Sequence, residues 1–334
     1  MDARARRHAR LRQAWLHRGW LACLLWPLSL IYRALVAWHQ ALYRWGWRKP
    51  ARLPVPVLVV GNVVAGGAGK TPVVMALAEH ARRNGWQVGI ISRGWGRTHA
   101  QVQAVRAECT AEEVGDEPLL LARRTGVPVW VGAKRADTAR ALLAQHPEVD
   151  LILSDDGLQH AALARDVELC LQDERGLGNG WLLPAGPLRE PWPRRQTAKV
   201  ASIDVGSQDV QRHLAAHAVR ADGTTRALRD FVDAPVHALA AIAKPEVFFE
   251  ALREQGLSLS QCLALPDHDP LQALPWDPTQ VTVLCTEKDA VKLWPRHPNV
   301  WAVPLTLQIS PSLLARIDAA LAQSRAALAA ARSV

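Results

Sequence analysis

Cysteine is scarce in this 334-residue chain. Cys23, Cys109, Cys170, Cys262 and Cys285 are scattered, odd in number and never in C-x-x-C spacing. That pattern excludes a disulfide framework and a cysteine-ligated zinc, and favours a reducing compartment. Acids are nearly missing from the first 52 positions, where eleven Lys and Arg face the single acid Asp2, a balance of +10. The whole chain carries +9, so the remaining 282 residues sum to −1. Charge confined to one tail belongs to what that tail touches, and nucleic acid is not an expected partner. A clean apolar run of about 20 residues, enough to span a bilayer, is missing too. Arg33 interrupts the one candidate, and Pro27 is expected to kink it. No small-residue cleavage site follows that run, which disfavours a signal peptide. There is no internal repeat.

What the tail does contain is arginine and tryptophan. Arg4, Arg6, Arg7, Arg10, Arg12 and Arg18 lead into an apolar segment from Trp20 to Trp47, and six of the fourteen Trp lie between Trp15 and Trp47. At 100° per residue Leu21, Leu24, Leu28, Tyr32, Leu35 and Leu42 share one face, while Arg18, Ser29, Arg33, Gln40 and Arg44 share the other. This predicts a helix lying in a membrane interface, tryptophans at headgroup level and arginines against anionic lipid. The alternative is a helix packed on the protein body.

The chain is organised around Val55 to Val74. A β-branched run ends in a glycine-rich turn closing on Gly69-Lys70-Thr71, with a helical segment after it. Val64, Ala65, Gly66, Gly67, Ala68, Gly69, Lys70 and Thr71 read as a phosphate-binding loop for a nucleoside triphosphate. Its N–H groups point inward, Lys70 reaches the β- and γ-phosphates, and the Thr71 hydroxyl is placed to ligate Mg²⁺. Val64 stands where the usual pattern has its first glycine.

Beyond the loop, strands and helices alternate. Pro72 to Arg83 predicts a helix, Trp86 to Ile91 a strand, Pro118 to Arg124 a helix, and Val127 to Val131 a strand. Lys134 to Gln145 predicts a further helix, and Val149 to Leu153 a strand ending in Asp155-Asp156. Acids at a strand end, on a chain with a phosphate loop, fit the carboxylate that holds Mg²⁺. Arg93 and Arg97 could clamp phosphate or be solvated surface. Asp116 sits where an N-cap carboxylate is the simpler reading. Gly176 to Pro193 is too rich in Gly and Pro for regular structure, with Arg189 and Glu190 as its polar points. The expected fold is α/β, a P-loop NTPase-like and mainly parallel sheet flanked by helices, with a smaller C-terminal α/β subdomain and the N-terminal membrane-associating helix. The expected division is 1–52, 53–208 and 209–334, with the polar stretch from Gln208 to Asp230 marking the boundary.

Taken together, GNVVAGGAGKTP (Gly61 to Pro72), SRGWGR (Ser92 to Arg97), GDEP (Gly115 to Pro118), DDGLQH (Asp155 to His160), GLGNGWLLPAGPLREP (Gly176 to Pro191), PDHD (Pro266 to Asp269) and TEKDAVK (Thr286 to Lys292) resemble the lipid A 4'-kinase family, the tetraacyldisaccharide 4'-kinases. The resemblance covers almost the full length. It departs at Trp95 (usually Tyr), Leu265 (usually Phe) and Ala241 (usually Gly). It implies transfer of the γ-phosphate of ATP to the 4'-hydroxyl of a tetraacylated glucosamine disaccharide 1-phosphate, on the cytoplasmic face of the bacterial inner membrane. It also implies Lys70 on the phosphates and Mg²⁺ on Thr71 and Asp155, with Asp156 or Glu117 assisting. The base is expected to be Asp116 partnered by His268, and Arg93, His160, Arg189 and Glu190 are expected to contact substrate or nucleotide. No obligate protein partner is implied.

The rival class is a membrane-bound regulatory ATPase of the septum-site or partition type. Its deviant loop has a signature lysine where this chain has Ala65. A guanine-nucleotide switch fits less well, since TEKDAVK sets Lys288 beside Asp289 and does not give N-K-x-D.

Overall fold

The computed structural model describes residues 13–66, 69–172, 176–193 and 200–332. The expectations placed on Gly67, Ala68 and the first five tail arginines lie outside the described residues. The chain forms two compact units, one made of residues 1–93, 132–210 and 309–334, the other of 94–131 and 211–308.

The first unit is built on parallel strands in the order Val88–Ser92, Leu151–Asp155, Val57–Gly61, Val167–Leu171, Ala201–Val205. The three at Val57, Val88 and Leu151 are buried along their whole length, which is why they read as continuous apolar runs and do not alternate. Parallel pairing brings all C-terminal ends to one edge, where α/β sheets bind ligands. Register then fixes the site, because Val60 pairs with Asp155 and so places that acid beside the start of the phosphate loop. The helix Lys70–Arg83 follows the loop and buries Val73, Val74, Leu77, Ala78 and Ala81.

The terminal helix Pro311–Arg332 also belongs to this unit and not to a C-terminal subdomain. It buries a narrow stripe of Leu313, Ile317 and Leu321. Asp318 meets His80 at 3.0 Å, and Arg325 stacks over Trp86 at 4.1 Å. The linear division at 208/209 misses this return of the chain, and likewise the excursion of 94–131 into the other unit. The polar stretch taken as a boundary contains the strands Val210–Leu214, His217–Val219 and Thr225–Ala227.

The second unit holds a mixed sheet in the order Thr225–Ala227, His217–Val219, Trp301–Val303, Val283–Thr286, Val236–Ala240, Leu259–Ala264. Its four later strands are parallel, and helices Pro245–Glu254 and Glu287–Leu293 connect among them. Residues 94–131 supply the helix Asp116–Thr125, tied to Glu287–Leu293 by the 2.9 Å Arg124–Glu287 ion pair.

Within the tail, Trp20–Arg44 forms a 25-residue helix continuous through Pro27, which lacks the N–H for an intrahelical bond. By length and composition it could cross a membrane. Its buried residues are Ala22, Ser29 and Ala41, whereas Leu24 and Leu35 are 67% and 62% exposed. The small, polar stripe therefore packs on the protein while the leucine face points out. Ser29 is the hinge of that packing: its hydroxyl donates to the Leu182 carbonyl (2.8 Å) and accepts from Ala185 N–H (3.0 Å). Ser29→Val leaves the Ala185 N–H unpaired in a buried seam, a loss of about 1–3 kcal/mol, while the Leu182 carbonyl keeps only the Gly186 N–H. Thermal melts and limited proteolysis of the tail should report a lower melting temperature and faster cleavage than Ser29→Thr.

Candidate active site

In the first unit the phosphate loop leaves its strand at Gly61 and enters the helix at Lys70 through Gly69, whose φ of +65° suits glycine. The first turn of that helix leaves N–H groups without intrahelical partners, the usual seat of a phosphate. Val63 to Ala65 are braced from outside by the Gly176 to Pro193 segment: Ala65 N–H donates to the Pro187 carbonyl (2.8 Å) and Arg189 N–H to the Val63 carbonyl (2.7 Å). Asn62, buried, donates to the Val64 carbonyl (2.7 Å) and accepts from Lys70 Nζ (3.3 Å). The sequence reading passed over Asn62; its position directly after the strand was the available signal.

Asp155 ends its strand only 1% exposed. Asp156 follows with φ +48°, an uncommon conformation for a side-chain-bearing residue. That backbone presents its carboxylate to Arg189 Nη1 (2.9 and 3.1 Å) and to Lys70 Nζ (3.5 Å). Burial alone raises the pKa of Asp156, but Lys70 and Arg189 outweigh it and hold the carboxyl below its ordinary range. Asp156 thus serves as counter-ion to two cations. Gln159 carries the network on, donating to Glu190 (3.0 Å) and to the Asn62 carbonyl (3.2 Å). Arg135, also missed, is buried and donates to the carbonyls of Gly132 (3.0 Å) and Asp155 (3.2 Å).

The second unit carries the other chemistry. Asp116 opens its helix, 5% exposed, and accepts from His268 Nδ1 at 3.0 and 3.2 Å, a residue 152 positions away. His268 sits at φ +63°, so the Pro266 to Asp269 turn aims its ring at the carboxylate. Lys288 Nζ lies 3.8 Å and Lys292 Nζ 4.0 Å from Asp116. Burial opposes ionisation of Asp116, but the His268 hydrogen bond, Lys288 and Lys292 prevail and its pKa is lowered. Glu117, expected to assist with metal, lies in this unit and is bound by Lys288 at 3.4 Å. TEKDAVK is accounted for in part by structure: Thr286 caps the helix, and Asp289 ties it to Ala241 N–H (2.9 Å).

A family model described as tetraacyldisaccharide-1-P 4'-kinase matches residues 21–322. The chain belongs to the tetraacyldisaccharide-1-P 4'-kinase family. It is 52% identical over 322 residues to a tetraacyldisaccharide 4'-kinase of Acidovorax sp. (strain JS42), covering 94% of each chain. It is 44% identical to one from Bordetella petrii, covering 94% of this chain and 96% of that one. Among solved structures it resembles the "apo" form LpxK from Aquifex aeolicus in complex with ATP, with TM-score 0.76 and 26% identity over 90% of this chain and 99% of that chain. Members of this family are kinases, and membership sets aside the regulatory-ATPase alternative.

Among the described residues no three His, Cys, Asp or Glu side chains gather into a metal cage. Mg²⁺ rarely needs one, since it is commonly held by one or two carboxylates, phosphates and water. Asp155 and the Thr71 hydroxyl supply hard oxygen donors at the sheet edge and fit that role, while Asp156 is committed to Lys70 and Arg189.

His160 and Arg93 belong to the first unit with Arg135 and Arg165. Burial first, then Arg135 and Arg93, push the His160 pKa down to about 4. At neutral pH it is therefore an uncharged hydrogen-bonding group, and any phosphate charge near it falls to the arginines. An NMR titration should keep His160 neutral until near pH 4. Because the unfolded chain takes up this proton near the ordinary 6.5, His160 should cost stability progressively as pH falls from that value toward 4.

Proposed function

We propose that this protein transfers the γ-phosphate of ATP to the 4'-hydroxyl of tetraacyldisaccharide 1-phosphate, at the cytoplasmic face of the inner membrane. The observation that carries the reading is the buried Asp116–His268 pair, a carboxylate held ionised beside an imidazole in a chain that also has a phosphate loop. Phosphoryl transfer asks mainly for positioning and charge neutralisation. Lys70 and the N–H groups of the first turn of its helix, at Lys70 and Thr71, cradle the β- and γ-phosphates, while the Ala65 N–H is taken by the Pro187 carbonyl. Thr71 and Asp155 would hold Mg²⁺. The ion, when bound, neutralises charge developing on the phosphate oxygens. Asp156 holds Lys70 and Arg189 at 3.5 and 2.9 Å, and the Arg189 guanidinium is assigned to phosphoryl charge. Asp116 takes the proton of the sugar hydroxyl as its oxygen attacks phosphorus and the bond to ADP breaks. Arg93 and Glu190 are assigned to substrate or nucleotide contacts.

In detergent micelles the wild type should transfer labelled γ-phosphate to tetraacyldisaccharide 1-phosphate. Asp116→Ala should lose about 10²- to 10⁴-fold in kcat, the usual range for a positioned base. Equal rates would remove Asp116 from its role, and ATP hydrolysis without labelled lipid would remove the kinase reading itself.

The membrane placement is supported by the outward face of Trp20–Arg44, where Leu24, Leu28, Ile31 and Leu35 are exposed, followed by exposed Trp45 and Trp47. An amphiphilic acceptor stays in the bilayer, so the enzyme has to reach it there. Flotation with vesicles containing anionic phospholipid should carry the wild type upward. Leu24→Asp combined with Leu35→Asp should weaken partitioning at least about tenfold, since burying each leucine contributes roughly 1.5–3 kcal/mol. Unchanged flotation would point to another attachment surface.

A further inference from the structure

Lys288 belongs to the Asp116 cluster and touches both that carboxylate's field and the His268 ring. It is nearly buried, on the helix Glu287–Leu293, one turn before Lys292. An ammonium has three N–H donors and no acceptor. All three of its bonds have a taker: Lys288 Nζ donates to Asp267 Oδ1 at 2.9 Å, to His268 Nε2 at 3.3 Å and to Glu117 Oε1 at 3.4 Å. Asp116 Oδ2, at 3.8 Å, feels its charge without a hydrogen bond. Burial opposes the charge on Lys288, but Glu117, Asp116 and Asp267 outweigh it and push its pKa up, so the ammonium persists through the working range.

The consequence falls on the imidazole. A ring nitrogen that faces a permanent donor has to present its lone pair. With Nε2 so engaged, the proton of the neutral ring sits on Nδ1, the nitrogen 3.0 Å from Asp116. We propose that Lys288 is a positioning residue for phosphoryl transfer: it holds His268 as the neutral Nδ1–H tautomer, so that the ring donates to Asp116 and leaves that carboxylate as the acceptor of the hydroxyl proton. This rests on the reading of Asp116 as base.

The groups facing His268 are consistent with that division. Asp116 comes from one helix, Lys288 from the other, and Asp267 from its own turn. Burial, the largest influence, lowers the His268 pKa and Lys288 lowers it further; the Asp116 hydrogen bond together with the Asp116 and Asp267 charges outweighs them, and the net direction is upward. Lys288 thus adds to burial in opposing a second ring proton, and its contact with Nε2 is what fixes the tautomer of the neutral ring. In the transfer step the sugar O–H proton moves to an Asp116 oxygen, the freed electron pair forms the O–P bond, and the bond from the γ-phosphorus to the ADP oxygen breaks. Nδ1 is already protonated and does not take that proton, which Asp116 returns to solvent before the next turnover.

The test is ¹⁵N NMR of the full chain in detergent micelles with histidine labelled, His268 being assigned by its loss in His268→Gln. The wild-type ring, above the ordinary imidazole range, should show a protonated Nδ1 and a bare Nε2. In Lys288→Met the bare Nε2 signal should give way to a protonated one. In the same variant kcat should fall about 10- to 100-fold, with KM for ATP changed less than about twofold. A wild-type ring carrying its proton on Nε2, or on both nitrogens, overturns the proposal without any variant having to fold. So does a folded Lys288→Met with an unchanged ring spectrum and unchanged kcat. Failure of the underlying reading looks different: Asp116→Asn would retain kcat, while the ring signature and its loss in Lys288→Met would still be observed.

Discussion

The first unit depends on Arg189. Its backbone N–H ties the Gly176 to Pro193 segment to the phosphate loop through Val63, and its carbonyl accepts the Tyr32 hydroxyl of the tail helix at 2.9 Å. Its guanidinium meanwhile clamps Asp156, which in turn meets Lys70. One residue therefore joins the amphiphilic helix, the irregular segment and the phosphate site. The irregular segment is shaped for this: Gly178 (φ +56°) lies where a Cβ would come within 2.6 Å of the Trp15 carbonyl, and Asn179 N–H donates to that same carbonyl at 2.7 Å. The segment thus packs on the backbone just before the helix, and the helix meets it through Ala22 and Ser29, the latter bonded to the Leu182 carbonyl.

That packing leaves the leucine face of the tail unused by the protein. Helices in globular proteins normally turn their apolar stripe inward. Here the inward stripe is small and hydrogen-bonded, and the outward one is apolar. Such a pattern is the one an interfacial helix needs, and it is the basis of the membrane placement proposed above, with Arg18, Arg33 and Arg44 as the basic groups nearest to it.

The two chemical centres are organised by opposite use of charge. Around Asp156 one carboxylate restrains two cations that would otherwise repel each other. Around Asp116 two ammonium groups and a histidine keep a buried carboxylate ionised where burial would neutralise it. A carboxylate held so stays ionised, and its orientation comes from the ring beside it.

Much of this was legible from residue order. The phosphate loop, the strand ending at Asp155, the alternation that gives a parallel sheet and the basic tail all rest on spacings within some twenty residues, where local chain geometry governs. The seven motifs, read together, also named the family. The resemblance implied that Asp116 meets His268; only the tertiary structure decided the other meetings, Asp116 with Lys288, Asp156 with Lys70 and Arg189, Glu117 with Lys288. It also decided that 94–131 and 309–334 leave their sequence neighbours, and which side of the tail helix is buried. The reason is physical. A hydrogen bond or ion pair is set by where the backbone returns in space, and no local periodicity encodes a return across 152 positions.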